Sequence, residues 1–203
     1  HRQDRRCARW NDGVELDEYF GEEVADVVNG VTKIGQLVFG NRQTQQAEYI
    51  RKMILSMSHD IRVLLVKLAD RVHNMRTLGI MEPPKQKRIA RETLDIYAPL
   101  AGRLGMFRLK AELEDLSFFY LEPEAYQQIR EGLFRKKGAL EKYNQDMCQF
   151  LRDQLEEHHI KGEVNGRVKN FYSIYRKLQA QQITLDELYD LLAFRIIVET
   201  VQE

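Results

Sequence analysis

The pattern of residues 61–78 constrains the fold of this chain most, because it predicts a helix with two apolar sides. Apolar residues recur at steps of three and four positions, as along one face of a helix. They are Ile61, Leu64, Leu65, Leu68, Val72 and Met75. A second line starts at Val63 and Val66 and continues through Asp70, Asn74 and Thr77. The sequence therefore predicts a helix that is packed on both sides, with a carboxylate in a buried position.

Asp70 is the residue in this pattern that requires an explanation. A buried carboxylate without a partner is costly, so Asp70 is expected to meet a cation. The cation could be a metal ion or an arginine such as Arg71 or Arg91, and exposure at the end of the helix would equally remove the cost. Structural ion pairs are common around carboxylates. Spacing alone therefore favours the ion pair or exposure over the metal.

Composition limits the classes of function. The length of 203 residues corresponds to one large or two small domains, and an apolar content of 43% is enough for a core. The 31 basic residues balance the 31 acidic residues, so general nucleic-acid binding is not expected. Cys7 and Cys148 lack metal-type spacing and are expected to be free thiols in a reducing compartment. No signal peptide and no apolar run of ~20 residues are present, which predicts a cytoplasmic protein that binds no membrane.

Helical patterns dominate the chain up to about residue 160, and a mixed pattern follows. Residues 124–158 fit long amphipathic helices, whose aromatic and methionine positions are expected to form core. Residues 163–168 predict a β-hairpin with Asn165-Gly166 at its turn. A helix over residues 171–179 with Asn170 as its N-cap follows. Residues 195–200 predict a β-branched strand.

Five segments form long motifs in a fixed order. The longest is Asp-Ile-Arg-Val-Leu-Leu-Val-Lys-Leu-Ala-Asp-Arg-Val-His-Asn-Met-Arg-Thr-Leu at residues 60–78. The others are Gly-Val-Thr-Lys at 30–33, Arg-Glu-Thr-Leu-Asp-Ile-Tyr-Ala-Pro-Leu-Ala with a later Arg-Leu-Gly at 91–105, Glu-Leu-Glu-Asp-Leu at 112–116, and Gly-Arg-Val-Lys-Asn-Phe-Tyr-Ser-Ile-Tyr-Arg-Lys at 166–177. Together they resemble the RelA/SpoT family, whose members make and destroy the alarmone (p)ppGpp.

The resemblance implies a mainly α fold: an HD-type helical hydrolase domain followed by the start of an α+β, nucleotidyltransferase-like synthetase domain. Residues 1–121 are expected to form the incomplete hydrolase-like domain with its linking helices, and residues 122–203 the incomplete N-terminal part of the synthetase. The chain is expected to be a fragment of a bifunctional-type parent of the stringent response. The implied partners of the intact parent are guanine nucleotides (ppGpp or pppGpp, GDP or GTP) and ATP.

The family's hydrolase site holds Mn²⁺ with two histidines and two aspartates, and the metal activates water to remove the 3′ pyrophosphate. The resemblance makes Asp70 a metal ligand and places Asn74 and Thr77 in the nucleotide pocket, but it assigns no catalytic residue. The family's His-Asp and Glu-Asp pairs are absent upstream of residue 30, where Asp4 alone matches. Either the hydrolase has decayed or the first residues misrepresent the native gene. Surface or structural roles are expected for His59, His73, His158 and His159.

The family's synthetase transfers pyrophosphate from ATP to the 3′ hydroxyl of GDP or GTP. The resemblance assigns Asp190 to Mg²⁺ and four side chains to the phosphates of ATP. The four are Arg167, Lys169, Ser173 and Lys177. Because Ser173 and Lys177 lie one turn apart on a helix that follows a basic strand, cations and the helix dipole are expected to converge on phosphate. Asn170 stands where the family usually has His. The remaining synthetase motifs lie beyond residue 203, so we predict no pyrophosphate transfer by this chain.

One alternative belongs to a different class of function. The chain could be a non-catalytic regulatory or structural segment with a degenerate hydrolase site. Its helices over residues 91–105 and 109–120 would then serve contacts between domains, as the linking helices of the family are thought to do. General nucleic-acid binding through residues 167–177 is not favoured, because the basic patch is short and the overall charge is zero.

Overall fold

The computed structural model describes residues 13–35 and 60–200, with side chains from residue 16 to 32 and from 60 to 200. The helices in these ranges are α1 Gly13–Phe20, α2 Glu22–Gly35, α3 Ile61–Arg76, α4 Pro83–Glu92, α5 Ala98–Arg103, α6 Phe107–Leu121, α7 Pro123–Glu157 and α8 Phe171–Gln181, and the strands are β1 Gly162–Val168 and β2 Leu192–Val198. A π-helical turn, Thr93–Tyr97, joins α4 to α5. None of these helices has the length and apolar character needed to cross a membrane. The predictions for Asp4, Cys7 and His59 lie outside the described residues.

Helix α3 begins directly after Asp60. The backbone of Asp60 is extended, and its side chain accepts a hydrogen bond from the Arg62 N–H at 2.8 Å. Apolar residues of α3 pack with those of α4, the π-helical turn, α5 and α6 in a first hydrophobic cluster. Helix α2 also approaches closely, since a Cβ on Gly30 would lie 2.7 Å from Val63 Cγ2. The first part of the described chain is therefore a layer of helices around α3.

The prediction that α3 is packed on both sides is wrong for the described structure. Its buried residues are Val63, Leu64, Leu68, Val72 and Met75. Ile61, Leu65 and Val66 are 51%, 44% and 45% exposed. The described helices that contact α3 cover one side of it, and apolar spacing alone does not show whether a second layer covers the other.

Helix α6 belongs to two hydrophobic clusters and thus connects the helical layer to the mixed part of the chain. Leu113 is fully buried in the first cluster. Phe118, less than two turns later, is buried in a second cluster with residues of α7, α8 and the segment before β2. Its ring stacks on that of Tyr175 in α8, with ring centroids 4.5 Å apart. A division of the chain at residue 121 stays a prediction.

The two strands form an antiparallel pair, with Gly162 opposite Val198 and Val168 opposite Leu192. The predicted hairpin is therefore wrong, because Asn165 and Gly166 lie in the interior of one continuous strand. The strand predicted over residues 195–200 is present as β2, and the helix predicted over 171–179 as α8. Helices followed by a small sheet confirm the predicted fold class, mainly α with the start of an α+β part.

Gly166 occupies the middle of β1 because helix α7 passes directly over it. A Cβ at this position would lie 2.0 Å from Asn144 Oδ1 and 2.8 Å from Cys148 Sγ, both on α7. It would also lie 2.9 Å from the ring of Phe194 on β2. A glycine within a strand commonly marks such a close approach. The absence of a side chain thus lets α7 support the strand that leads to Lys169.

Candidate functional site

Three charged side chains meet where the two strands end: Lys169, Lys177 and Asp190. Lys169 follows β1, and its backbone N–H donates to Leu191 O at 2.9 Å. Lys177 lies on α8, and Asp190 precedes β2. One carboxylate oxygen of Asp190 accepts a hydrogen bond from Lys169 Nζ, and the other accepts one from Lys177 Nζ. The fold therefore brings two ammonium groups to one carboxylate from three separate segments.

This lysine–aspartate cluster has one positive charge in excess and is open to solvent. The side chains of Lys169, Lys177 and Asp190 are 26%, 32% and 47% exposed. Hydrogen bonds from Lys169 and then from Lys177 hold the pKa of Asp190 below its usual value, so the carboxylate is charged at neutral pH. Ion pairs at this level of exposure contribute little to stability. An anion with more charge than a carboxylate can therefore displace Asp190 from the lysines at low cost.

Arg167 and Ser173, the other two predicted phosphate contacts, do not join the cluster directly. Arg167 is exposed on β1, opposite Ala193. Ser173 is partly buried in the first turn of α8, and it lies on the same side of that helix as Lys177, one turn later. Within residues 60–200, neither side chain forms a hydrogen bond or ion pair with the cluster. The structure thus brings together two of the four predicted phosphate contacts with the predicted metal ligand.

The first turn of α8 is capped from another helix. Asn170 occupies the N-cap position, but its side chain makes no capping hydrogen bond. Asp115 of α6 provides the acceptor instead, because its Oδ1 receives the Tyr172 N–H at 2.9 Å. The prediction that Asn170 caps this helix is therefore wrong. The expectation that the helix dipole meets phosphate is weakened as well, because a carboxylate already lies at the N-terminal end.

The Asn170 side chain turns toward α6 and completes this contact. Its Nδ2 donates to Glu114 Oε2 and to Asp115 Oδ1, each at 3.1 Å. Burial raises the pKa of Asp115, and the hydrogen bonds from Tyr172, Phe171 and Asn170 oppose that rise. Sequence reasoning missed both carboxylates as site residues. They stand within the motif at residues 112–116, but no local rule relates that motif to a helix more than 50 residues away.

Asp70, the predicted metal ligand of the hydrolase, lies on the surface. Asp70, Asn74 and Thr77 are all exposed, so the prediction of a buried carboxylate is wrong. Asn74 Nδ2 donates to Asp70 Oδ1 at 3.1 Å, which brings these two predicted residues together. Thr77 ends the helix, and its Oγ1 donates to His73 O at 3.0 Å. Exposure, one of the alternatives for Asp70, is what the described part of the chain shows.

Arg71 pairs with Glu92 of α4 and not with Asp70. Its guanidinium lies 2.7 Å from Glu92 Oε1 and 4.0 Å from the ring centre of Tyr97. His73 on α3 and His158 and His159 after α7 are exposed, in agreement with the predicted surface roles.

The predicted Mn²⁺ site requires several side chains that converge on one point. No group of three or more His, Cys, Asp and Glu residues converges within the described ranges. Asp70 supplies one carboxylate and Asn74 one amide, whereas a selective transition-metal site requires several ligands in a fixed geometry. The described residues around Asp70 therefore do not fit a Mn²⁺ site by themselves.

Comparison with known families gives two matches in chain order. The family model of the HD domain matches residues 5–107, and that of a region found in RelA and SpoT proteins matches residues 166–203. The chain belongs to the RelA/SpoT family. The first match contains Asp70, Asn74 and Thr77, and the second contains the lysine–aspartate cluster. The predicted family is thereby confirmed.

Relatives of the RelA/SpoT family are similar along almost the whole chain. A GTP pyrophosphokinase of Myxococcus xanthus is 52% identical over 189 residues, which cover 92% of this chain and 25% of that protein. A probable guanosine-3′,5′-bis(diphosphate) 3′-pyrophosphohydrolase of Synechocystis is 50% identical, over 93% of this chain and 25% of that protein. A guanosine-3′,5′-bis(diphosphate) 3′-pyrophosphohydrolase of Vibrio cholerae is 46% identical, over 92% of this chain and 26% of that protein. The chain thus spans about a quarter of the length of these curated relatives.

Proposed function

We propose that this chain takes part in (p)ppGpp turnover and that the lysine–aspartate cluster holds the phosphates of ATP for pyrophosphate transfer. The observation that carries the proposal is the convergence of Lys169 and Lys177 on Asp190, within the matched RelA/SpoT region. Relatives named GTP pyrophosphokinase support the choice of ligand. The same names support GDP or GTP as partners in the whole protein, which we expect to act in the cytoplasm.

The two lysines are suited to phosphate because ammonium groups donate charge-assisted hydrogen bonds to anionic oxygens. In the described structure each ammonium group already donates to one oxygen of Asp190. We infer that phosphate oxygens of ATP replace the carboxylate at both lysines. Ser173, one turn before Lys177, and Arg167 on β1 would then approach the same phosphates. Binding through phosphate predicts that affinity follows the number of phosphate groups.

Asp190 is suited to Mg²⁺ that arrives with the nucleotide. Mg²⁺ commonly uses one or two carboxylates together with substrate phosphates, and the cluster offers one carboxylate next to the proposed phosphate site. When bound, Mg²⁺ would supply charge neutralisation to the transferred phosphoryl groups. The residues of this chain bind and orient the phosphates.

The hydrolase activity remains a proposal for the HD-type part of the chain. Asp70 is the residue that we propose for Mn²⁺, and Asn74 and Thr77 are those that we propose for ppGpp. The match to the HD domain supports this placement. Asp70 and its described neighbours do not provide enough ligands for a Mn²⁺ site. The proposal for the HD-type part is therefore limited to binding of ppGpp and includes no catalytic step. The non-catalytic alternative stays open for this part of the chain.

A nucleotide series tests the proposed phosphate site. We expect the chain to bind ATP more tightly than ADP and AMP in the presence of Mg²⁺, with about a tenfold loss of affinity between ATP and AMP because charge-assisted contacts are removed. Isothermal titration calorimetry with the three nucleotides and adenosine measures this order. Equal affinity for ATP and adenosine, or no binding of ATP, would contradict the proposal.

A further inference from the structure

Residues 114–118 of α6 contact residues 170–175 at the start of α8, and this contact is called the joint. The joint determines where Lys177, the lysine of α8 proposed to bind phosphate, lies. The first N–H groups of a helix have no partner within the helix and need acceptors from elsewhere. For α8 the acceptor of the Tyr172 N–H is Asp115, 57 positions earlier in the chain. Asn170 strengthens the joint, because its amide group donates to Glu114 and to Asp115. Three hydrogen bonds therefore connect the start of α8 to α6.

Apolar contacts fix the same two helices one turn further along. The ring of Phe118 on α6 stacks on Tyr175 with an interplanar angle of 28° and lies 5.9 Å from the ring of Tyr172. Phe118 is 1% exposed and Glu114 is 7% exposed, whereas Asp115 and Tyr172 are partly buried, so the joint is largely shielded from solvent. Because close-packed interiors resist small displacements, the direction of α8 follows that of α6.

The geometry points to Asp115 as a positioning residue for the phosphate site, an inference that rests on the proposed function. Asp115 holds the start of α8, and Lys177 lies two turns along that helix. Lys169 is held independently, because its own backbone N–H is bound by Leu191 O. The two ammonium groups can reach the same phosphates only while α8 keeps its position relative to the end of β1. Asp115 therefore acts through Lys177, without contact to the nucleotide.

Substitution of Asp115 tests this inference. We expect Asp115→Ala to weaken Mg-ATP binding by about fivefold, the size of effect seen when a helix loses its capping acceptor. Asp115→Asn keeps an oxygen acceptor without charge, and we expect a smaller loss of about twofold. Glu112→Gln is the matched control, since Glu112 lies on the same helix but pairs with Arg76 at 2.6 Å. This control is expected to bind Mg-ATP as the unchanged chain does.

A second measurement needs no nucleotide. The reactivity of Lys177 toward acetic anhydride, quantified by mass spectrometry relative to the exposed Lys137, reports how firmly Lys177 is held beside Asp190. We expect Asp115→Ala to raise this ratio about threefold, in keeping with fraying of a first helical turn that lacks its cap. Asp115→Asn should raise it less, and Glu112→Gln should leave it unchanged. A residue that merely supports overall stability would not change this ratio in a protein that remains folded by circular dichroism.

The outcomes separate the inference from the proposed function. Unchanged ATP affinity together with unchanged Lys177 reactivity in Asp115→Ala would overturn the positioning role. If the unchanged chain does not bind ATP, the proposed function fails, and the reactivity of Lys177 still decides whether Asp115 positions it. If Asp115→Ala does not fold, Asp115→Asn decides in its place. In that case, values for Asp115→Asn equal to those of Glu112→Gln in both measurements would overturn the inference.

Discussion

Replacement of both Lys169 and Lys177 by alanine is expected to lower the affinity for Mg-ATP about a hundredfold. Hydrogen bonds to charged groups contribute more than neutral ones, so each lysine accounts for about a tenfold change. The reason is structural, since the two ammonium groups converge on one carboxylate and can both reach the anion that displaces it. Isothermal titration calorimetry of the double variant provides the measurement.

The matched control for this double variant removes two lysines elsewhere. Lys137 and Lys142 lie on α7, and both are exposed. Their replacement by alanine changes the net charge by the same amount. This control therefore measures how much affinity is lost when only the long-range attraction of ATP is reduced. A double variant of Lys169 and Lys177 that binds Mg-ATP as tightly as this control would show that the cluster is not the phosphate site.

Gly166→Ala is expected to destabilise the protein by about 2 kcal/mol, the cost of an extra methyl group in a filled interior. The new Cβ would lie 2.0 Å from Asn144 Oδ1, 2.8 Å from Cys148 Sγ and 2.9 Å from the ring of Phe194. Three side chains on two elements must therefore move at once. Without this crowding, Gly166→Ala would be expected to stabilise the protein, because glycine within a strand is less favourable than alanine. Urea unfolding followed by circular dichroism measures the change in free energy.

Gly138→Ala is the control for this prediction, because Gly138 lies on α7 and a Cβ there meets no atom within 4 Å. We expect Gly138→Ala to stabilise the protein by about 1 kcal/mol, since alanine is the better helix former. Opposite signs for the two substitutions would support the close approach of α7 to β1. Equal stabilisation by both would show that β1 and α7 are not packed in this way.

Sequence patterns predicted most of the helices because helical spacing and caps are local information. Asp60, a favourable N-cap residue, stands directly before α3, and Pro123 is the first residue of α7. The prediction that Asp70 of α3 is buried was wrong, because burial is not local information. Apolar spacing gives the direction of side chains but not the presence of a neighbouring helix. The described neighbours cover one side, which leaves Asp70 exposed.

The mixed part of the chain was harder to predict, since its structure depends on distant partners. Asn165-Gly166 is a strong signal for a tight hairpin turn. Pairing of the whole strand with β2, which follows some 25 residues later, overrides this signal. Likewise, Asn170 is a favourable N-cap residue by type, but Asp115 takes that role from α6. Neither partner can be inferred from the residues next to the feature that it changes.

The candidate site was partly predictable. Resemblance to the RelA/SpoT family selected Lys169, Lys177 and Asp190 from a sequence whose charges are otherwise scattered. It did not show that the carboxylate pairs with both lysines, because that contact depends on where α8 lies relative to the ends of β1 and β2. It also gave no role to Asp115. Three-dimensional packing supplied both of these features.

An acyl-phosphate derivative of ATP, which transfers its acyl group to lysines near the bound phosphates, tests the phosphate site most directly. The chain is incubated with the reagent and Mg²⁺, with and without excess ATP, and acylated lysines are identified by mass spectrometry. We expect acylation chiefly at Lys169 and Lys177, suppressed by ATP. Acylation that spreads over the exposed lysines of α4 and α7, or that ATP does not suppress, would contradict the proposed phosphate site.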